Sequence, residues 1–251
     1  MEKNKSHQSW LLNRREALAL FRAFGTAIFV VGCIPRKPTT AQTSSQVNPA
    51  KLPRCVVIPE QTEGPYFVDE KLKRSDIRSD PSDGSVKEGV PLQLRLRVST
   101  IANTSCNPLV GAIVDIWHCD ALGVYSDVND PSFNTVGKKF LRGYQVTDAN
   151  GTVQFTTIYP GWYQGRTVHI HFKVRTDGSS RQGYEFTSQL YFDDLITDRV
   201  HTQTPYASKG QRTLKNAQDG IFQGDGDKLL LALTKTSQGY SATFDIGLQT
   251  G

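Results

Sequence analysis

From Leu92 to Val98 the chain reads Leu-Gln-Leu-Arg-Leu-Arg-Val, apolar and polar in strict alternation. Successive side chains of a strand point to opposite faces, so a period of two specifies a half-buried β-strand. Comparable short runs recur at 111–118, 152–158, 168–174, 189–192 and 240–246, rich in β-branched and aromatic residues. Turn-forming residues separate them, notably at 103–108 and 148–151. Short strands punctuated by Gly, Pro, Asn and Asp predict an all-β fold, an immunoglobulin-like antiparallel β-sandwich. The leucine run at 228–234 is a weak helix candidate that reads equally as a strand. Gly224-Asp-Gly-Asp227 reads as a plain turn, because the remaining ligand spacing of a calcium loop is missing. Asp193 and Asp194 read as solvated turn residues. The polar stretch 121–139, which contains Tyr125, is long for a sandwich loop, and loops of that length are usually functional or disordered.

The 251 residues suit one domain plus additional sequence. Of the net charge of +5, residues 1–32 hold +3, where Lys3, Lys5, Arg14, Arg15 and Arg22 outnumber Glu2 and Glu16. The remainder has no basic patch interleaved with aromatics, which argues against nucleic acid as a partner. Asn13-Arg-Arg-Glu-Ala-Leu18 resembles a twin-arginine export signal, followed by an apolar run at 23–31 too short to span a membrane. Val30-Val-Gly-Cys33 resembles a lipoprotein cleavage box; the plainer alternative is a cysteine that happens to follow an ordinary signal. The expected organisation is a signal over 1–32, a lipid-bearing Cys33, a polar tether over 33–51 and a folded domain over 52–251. The protein is then expected to be exported, periplasmic or at the cell surface, with the lipid as its sole membrane attachment. Lipidation of Cys33 leaves Cys55, Cys106 and Cys119, for which one bridge and one free thiol is the simplest arithmetic. Cys55 pairs with Cys106 or Cys119 in that scheme, and metal ligation by Cys119 is a third option.

The chemistry concentrates in Arg166-Thr-Val-His-Ile-His-Phe172. On a strand, His169 and His171 point the same way and can hold one metal ion. Tyr163 stands just upstream in a Pro-Gly-Trp-Tyr turn, with Arg166 between. Taken singly, each has a bland reading: a structurally satisfied histidine pair, a packed aromatic, a surface ion pair. Together they offer two imidazoles, a candidate phenolate and a fixed cation. Phenolates are hard anionic donors, and two of them with two imidazoles favour Fe(III) over Fe(II). Such a site activates an electron-rich substrate that binds as an anion, and an arginine beside it stabilises developing enolate-like charge.

Six ordered segments, at 59–66, 114–125, 140–148, 157–163, 168–172 and 187–192, resemble the intradiol ring-cleavage dioxygenases, the family of protocatechuate 3,4-dioxygenase and catechol 1,2-dioxygenase. The resemblance implies a prealbumin-like sandwich with long active-site loops and a non-haem Fe(III) held by Tyr125, Tyr163, His169 and His171. It also implies Arg166 as the catalytic arginine, Tyr163 as a base toward the catechol and Gln189 lining the site. The implied substrates are a small aromatic diol and dioxygen. The diol ring opens between its two hydroxylated carbons to a muconate-type product. A monomer or homodimer is expected, since the polar tether replaces the helical dimerisation domain of cytoplasmic catechol dioxygenases. His118 is expected to pack or hydrogen-bond rather than ligate. Glu63 and Tyr66 either line the pocket or merely flank a Gly64-Pro65 turn. The rival readings are a non-enzymatic cell-surface binding module and a zinc hydrolase.

Overall fold

The computed structural model describes residues 56–102, 105–176 and 183–249, all within the unit Ala50–Gly251. The expected leader, Cys33, the tether and Cys55 lie outside the described residues. The strands are β1 (Pro91–Ala102), β2 (Ser105–Pro108), β3 (Ile113–Trp117), β4 (Asn129–Asp130), β5 (Phe133–Asn134), β6 (Arg142–Val146), β7 (Thr152–Ile158), β8 (His169–Arg175), β9 (Glu185–Tyr191), β10 (Thr234–Lys235) and β11 (Tyr240–Leu248). One α-helix, α1 (Asp194–Val200), follows β9. One sheet runs β10-β11-β1-β2, with β7 also paired to β1. The other runs β6-β3-β8-β9, and β4 with β5 forms a small separate hairpin inside the long loop.

The alternation that specifies β1 is realised in its burial. Leu92, Leu94, Leu96 and Val98 are fully buried in the core, while Arg95 between them is exposed. Apolar side chains of both sheets join this core, among them Val153 and Phe155 from β7 and Ile170, Phe172 and Val174 from β8. The sandwich stands, but its pairing is not wholly antiparallel. β1 pairs with β11 in parallel, from Leu92 opposite Tyr240 to Thr100 opposite Leu248. A parallel pair needs a long crossover, and here the whole second sheet and α1 intervene between its two strands.

Two local expectations are corrected. Asp193 and Asp194 are not turn residues: Asp193 caps α1, its Oδ1 accepting from Leu195 N at 2.9 Å and Ile196 N at 3.0 Å, and Asp194 begins the helix. That carboxylate satisfies amides that have no partner within the helix and complements its positive end. The 228–234 run forms neither helix nor continuous strand. Its start is a 3₁₀ turn, Gly226–Leu229, and Leu230 bridges to Tyr191. Leu229 and Leu231 are buried, so these leucines fill the core without a period. Strand β6 is an element the reading by alternation missed; its pattern of burial is too irregular to announce it. Among the described residues no helix is long and apolar enough to cross a membrane.

Candidate metal centre

Strand β8 lies in the middle of its sheet, and both of its faces are buried. Ile170, Phe172 and Val174 enter the core; His169, His171 and Lys173 face outward under the loops and are at most 4% exposed. Cross-strand register arranges the outer face in rows. His169 lies opposite Tyr191, His171 between Trp117 and Gln189, and Lys173 between Asp115 and Thr187. The long loop after β3 and the turn after β7 bring Tyr125 and Tyr163 over the first two rows.

Donor atoms converge there. His169 Nε2 and His171 Nε2 are 3.0 Å apart, and Tyr163 Oη lies 3.3 Å from His169 Nε2. His169 Nδ1 sits 2.7 Å from Thr167 O, which makes Nδ1–H the donor and frees the Nε2 lone pair. Trp117 stacks on the His171 ring, with centroids 4.9 Å apart and planes 6° from parallel. The rings of Tyr125 and Tyr163 meet edge-on at 5.6 Å, and Tyr125 Oη is buried without a hydrogen-bond partner. Burial, with the nearby Arg166 charge, holds the His169 imidazole down to about 3; burial and His169 itself hold His171 well below its usual range. Both rings are therefore neutral and able to ligate. Burial raises both phenols, and a cation is the natural compensation for their ionised form.

Arg166 is fixed from two sides. Its Nε donates to Asp219 Oδ2 at 2.9 Å and an Nη donates to Gln189 Oε1 at 2.6 Å. Gln189 is fully buried and donates to Thr62 O at 2.9 Å, and the Tyr191 hydroxyl donates to Gln61 Oε1 at 2.8 Å. Burial works against the guanidinium charge, but the Tyr163 and Asp219 charges more than offset it. Asp219, Tyr191 and Gln61 were not singled out from sequence as site residues, although Gln61 and Tyr191 fall within two of the resembling segments.

The remaining candidates are placed as follows. His118 is bonded away from the donors, Nδ1 to Cys119 O at 2.8 Å and Nε2 to Thr157 Oγ1 at 2.7 Å. Cys119 is a buried free thiol directed at Gly161 O, whereas Cys106 is disulfide-bonded. Tyr66 stacks on Tyr125 at 4.5 Å and donates to Asp130 Oδ2 at 2.7 Å; burial and that carboxylate push it up to about 12. Glu63 pairs with Lys173 instead of lining the cavity. A cavity of about 460 Å³ opens beside Tyr66 and Tyr163, walled by Val124, Phe133, Trp162 and Lys209. The buried unpartnered phenol and the paired Nε2 atoms fit a hard trivalent ion. Among the described residues there is no group of three or more His, Cys, Asp or Glu side chains that could hold a metal ion.

The chain also matches known proteins over most of its described length. The family model described as "Dioxygenase" matches residues 62–249. The chain is 28% identical to chlorocatechol 1,2-dioxygenase of Pseudomonas putida over 57% of its own length and 29% identical to the protocatechuate 3,4-dioxygenase beta chain of Burkholderia cepacia over 58%. It spans 58% and 66% of those relatives, respectively. Its fold superposes with a TM-score of 0.66 on the intradiol ring-cleavage dioxygenase of Tetranychus urticae, at 32% identity over 78% of this chain and 95% of that one. The dioxygenase domain of a carbohydrate-binding fusion from Streptomyces sp. SirexAA-E gives 0.54, at 29% identity over 78% of this chain and 100% of that one. The family match over residues 62–249 and the superposition over most of the chain place this protein in the intradiol ring-cleavage dioxygenase family.

Proposed function

We propose that the protein is a non-haem Fe(III) dioxygenase that opens a catechol-type ring between its hydroxylated carbons to give a muconate-type product. The observation that carries this reading is the convergence of His169 Nε2, His171 Nε2 and Tyr163 Oη beside the unpartnered Tyr125 Oη. The ferric ion, held by these four side chains, would supply Lewis acidity that acidifies the diol hydroxyls, and the deprotonated diol is the electron-rich reactant toward dioxygen. Tyr163, at the boundary between donors and cavity, takes a proton from the diol. Arg166, pinned by Asp219 and Gln189, stabilises negative charge developing on the ring oxygens. Tyr66, Val124 and Phe133 hold the ring and exclude water. Both atoms of dioxygen enter the product, so no external reductant is consumed.

The test is colour and stoichiometry. Iron-loaded protein is expected to be red-brown from tyrosinate-to-Fe(III) charge transfer and to consume one dioxygen per catechol. Protein that stays colourless after iron is supplied, or that takes up no oxygen with catechol, protocatechuate or hydroxyquinol, refutes the reading and leaves the surface binding module. Export follows from the twin-arginine and lipobox motifs, and the mass of the mature chain from cells decides it: a diacylated N-terminal Cys33 supports anchoring.

A further inference from the structure

Asp219 links the cation of the site to one of its imidazoles. The carboxylate is 2% exposed and accepts four hydrogen bonds. Oδ1 is held by its own turn, from Ile221 N at 2.8 Å and Phe222 N at 3.3 Å. Oδ2 accepts from Arg166 Nε at 2.9 Å and from Thr167 N at 2.8 Å. The other end of residue 167 receives His169: its carbonyl lies 2.7 Å from His169 Nδ1. One oxygen therefore anchors both the guanidinium and the residue whose carbonyl sets the His169 tautomer and ring angle. The turn that carries Asp219 is itself docked, because Asn216 donates to Phe192 O at 2.8 Å and accepts from Thr167 Oγ1 at 2.6 Å.

We propose that Asp219 is a positioning residue for the reaction, holding Arg166 and His169 in their mutual geometry from a segment remote in sequence from both. This rests on the Fe(III) dioxygenase reading above. An ion pair that merely tied down the chain would need only the guanidinium. Here the same oxygen also takes the Thr167 amide, and its partner oxygen is locked by two backbone amides, so the carboxylate has little freedom to swing. Were Asp219 lost, Arg166 would keep only Gln189 and Tyr191, both neutral, and its head would rotate about them.

Asp219→Asn breaks both links while sparing the turn that carries residue 219. An amide whose oxygen accepts from Ile221 N and Phe222 N turns its NH₂ toward both the Arg166 Nε–H and the Thr167 N–H, donor against donor. The expected result is a folded protein with a shifted charge-transfer band, an unchanged KM and a kcat lower by about 10- to 100-fold. Asp219→Ala, which also frees the Ile221 and Phe222 amides of the turn, is expected to shift the band further and to weaken iron retention. A readout independent of turnover comes from NMR of the metal-free protein: the Arg166 Nε–H exchanges slowly in the wild type and loses that protection in Asp219→Asn. Wild-type kcat in Asp219→Asn, a loss of kcat matched by loss of folded fraction, or rapid Arg166 exchange in the intact wild type each overturns the proposal. The last needs no variant. If the wild type turns over no catechol, the dioxygenase reading fails, and Arg166 exchange still decides whether Asp219 holds the guanidinium.

Discussion

His118 offers a quantitative check on which histidines belong to the site. It is 1% exposed; its Nδ1–H donates to Cys119 O and its Nε2 accepts from Thr157 Oγ1, so the neutral ring is fully satisfied. Burial holds its pKa at about 4 against 6.5 for the free side chain. Above pH 6.5 the ring is neutral folded and unfolded alike, and pH has no leverage through it. Below 6.5 the unfolded chain takes up a proton that the folded protein refuses, and stability falls by about 1.4 kcal/mol per pH step until pH 4. Between pH 7 and pH 4.5 His118 alone therefore removes roughly 2.5 kcal/mol. His118→Gln lacks that dependence. In metal-free protein its urea midpoint is expected to fall less than the wild type's over this interval, by roughly 1 M at an m-value of about 2–3 kcal/mol/M. Loaded with iron, the variant is expected to keep its colour and metal content. Parallel midpoint shifts in the two proteins, or loss of iron from the variant, would refute the account of His118 as a buried, non-ligating ring.

Arg166→Lys keeps a positive charge but loses the forked geometry that engages Asp219 and Gln189; steady-state kcat is expected to fall about 10²- to 10³-fold with iron retained, and an unchanged kcat counts against its role. Lys209 lies over the Trp162 ring at 4.9 Å in the cavity wall, with no carboxylate in ion-pair contact among the described residues. Lys209→Met is expected to lower kcat/KM for a carboxylated catechol about tenfold relative to unsubstituted catechol, and an unchanged ratio removes Lys209 from substrate selection. Leu94→Ala opens a cavity at a fully buried position of β1 and is expected to cost about 2–5 kcal/mol by denaturant unfolding; a loss below 1 kcal/mol would mean the core relaxes around it.

What the sequence disclosed follows from how local each signal is. A period of two needs only the strand itself, so β1 was legible from 92–98, and the common face of His169 and His171 from three residues. The extent of the long loop was legible for the same reason: 121–139 lacks any period, and only the two-residue strands β4 and β5 form in it. Helix α1 was hidden because seven residues are too few to display a 3.6-residue period, although Asp193 before an apolar pair was a cap signal. The β1–β11 pairing was hidden because strand order depends on which chain ends meet after a crossover, and no residue in either strand encodes its partner's direction. Asp219 was hidden most completely: an aspartate in a polar stretch acquires its role only when the chain returns to the start of β8.

The two faces of β8 also tie the site to stability. On the outer face, the row farthest from the donors is closed by charges: Lys173 pairs with Glu63 and Glu185, and Arg175 with Asp115 and Asp69. Nearer the donors the pairing is incomplete. Tyr125 Oη, His171 Nδ1 and Trp117 Nε1 are all buried without hydrogen-bond partners, and an unpaired buried polar atom costs about 1–3 kcal/mol. A fold selected for stability alone would close such positions as it closes the Lys173 row; an open phenol oxygen at Tyr125 beside two converging imidazoles makes sense where a cation completes it, whereas Trp117 Nε1 and the Nδ1 of a ligating His171 are donors that a cation does not serve. Tyr125→Phe should then act in opposite directions on the two forms. Removing the unpaired hydroxyl is expected to stabilise the metal-free protein, by about 1–3 kcal/mol. The same change removes a ligand and shrinks the gain in Tm that iron confers on the wild type. A variant less stable than wild type without metal, yet equally stabilised by iron, would show that the Tyr125 hydroxyl serves the packing and not the ion.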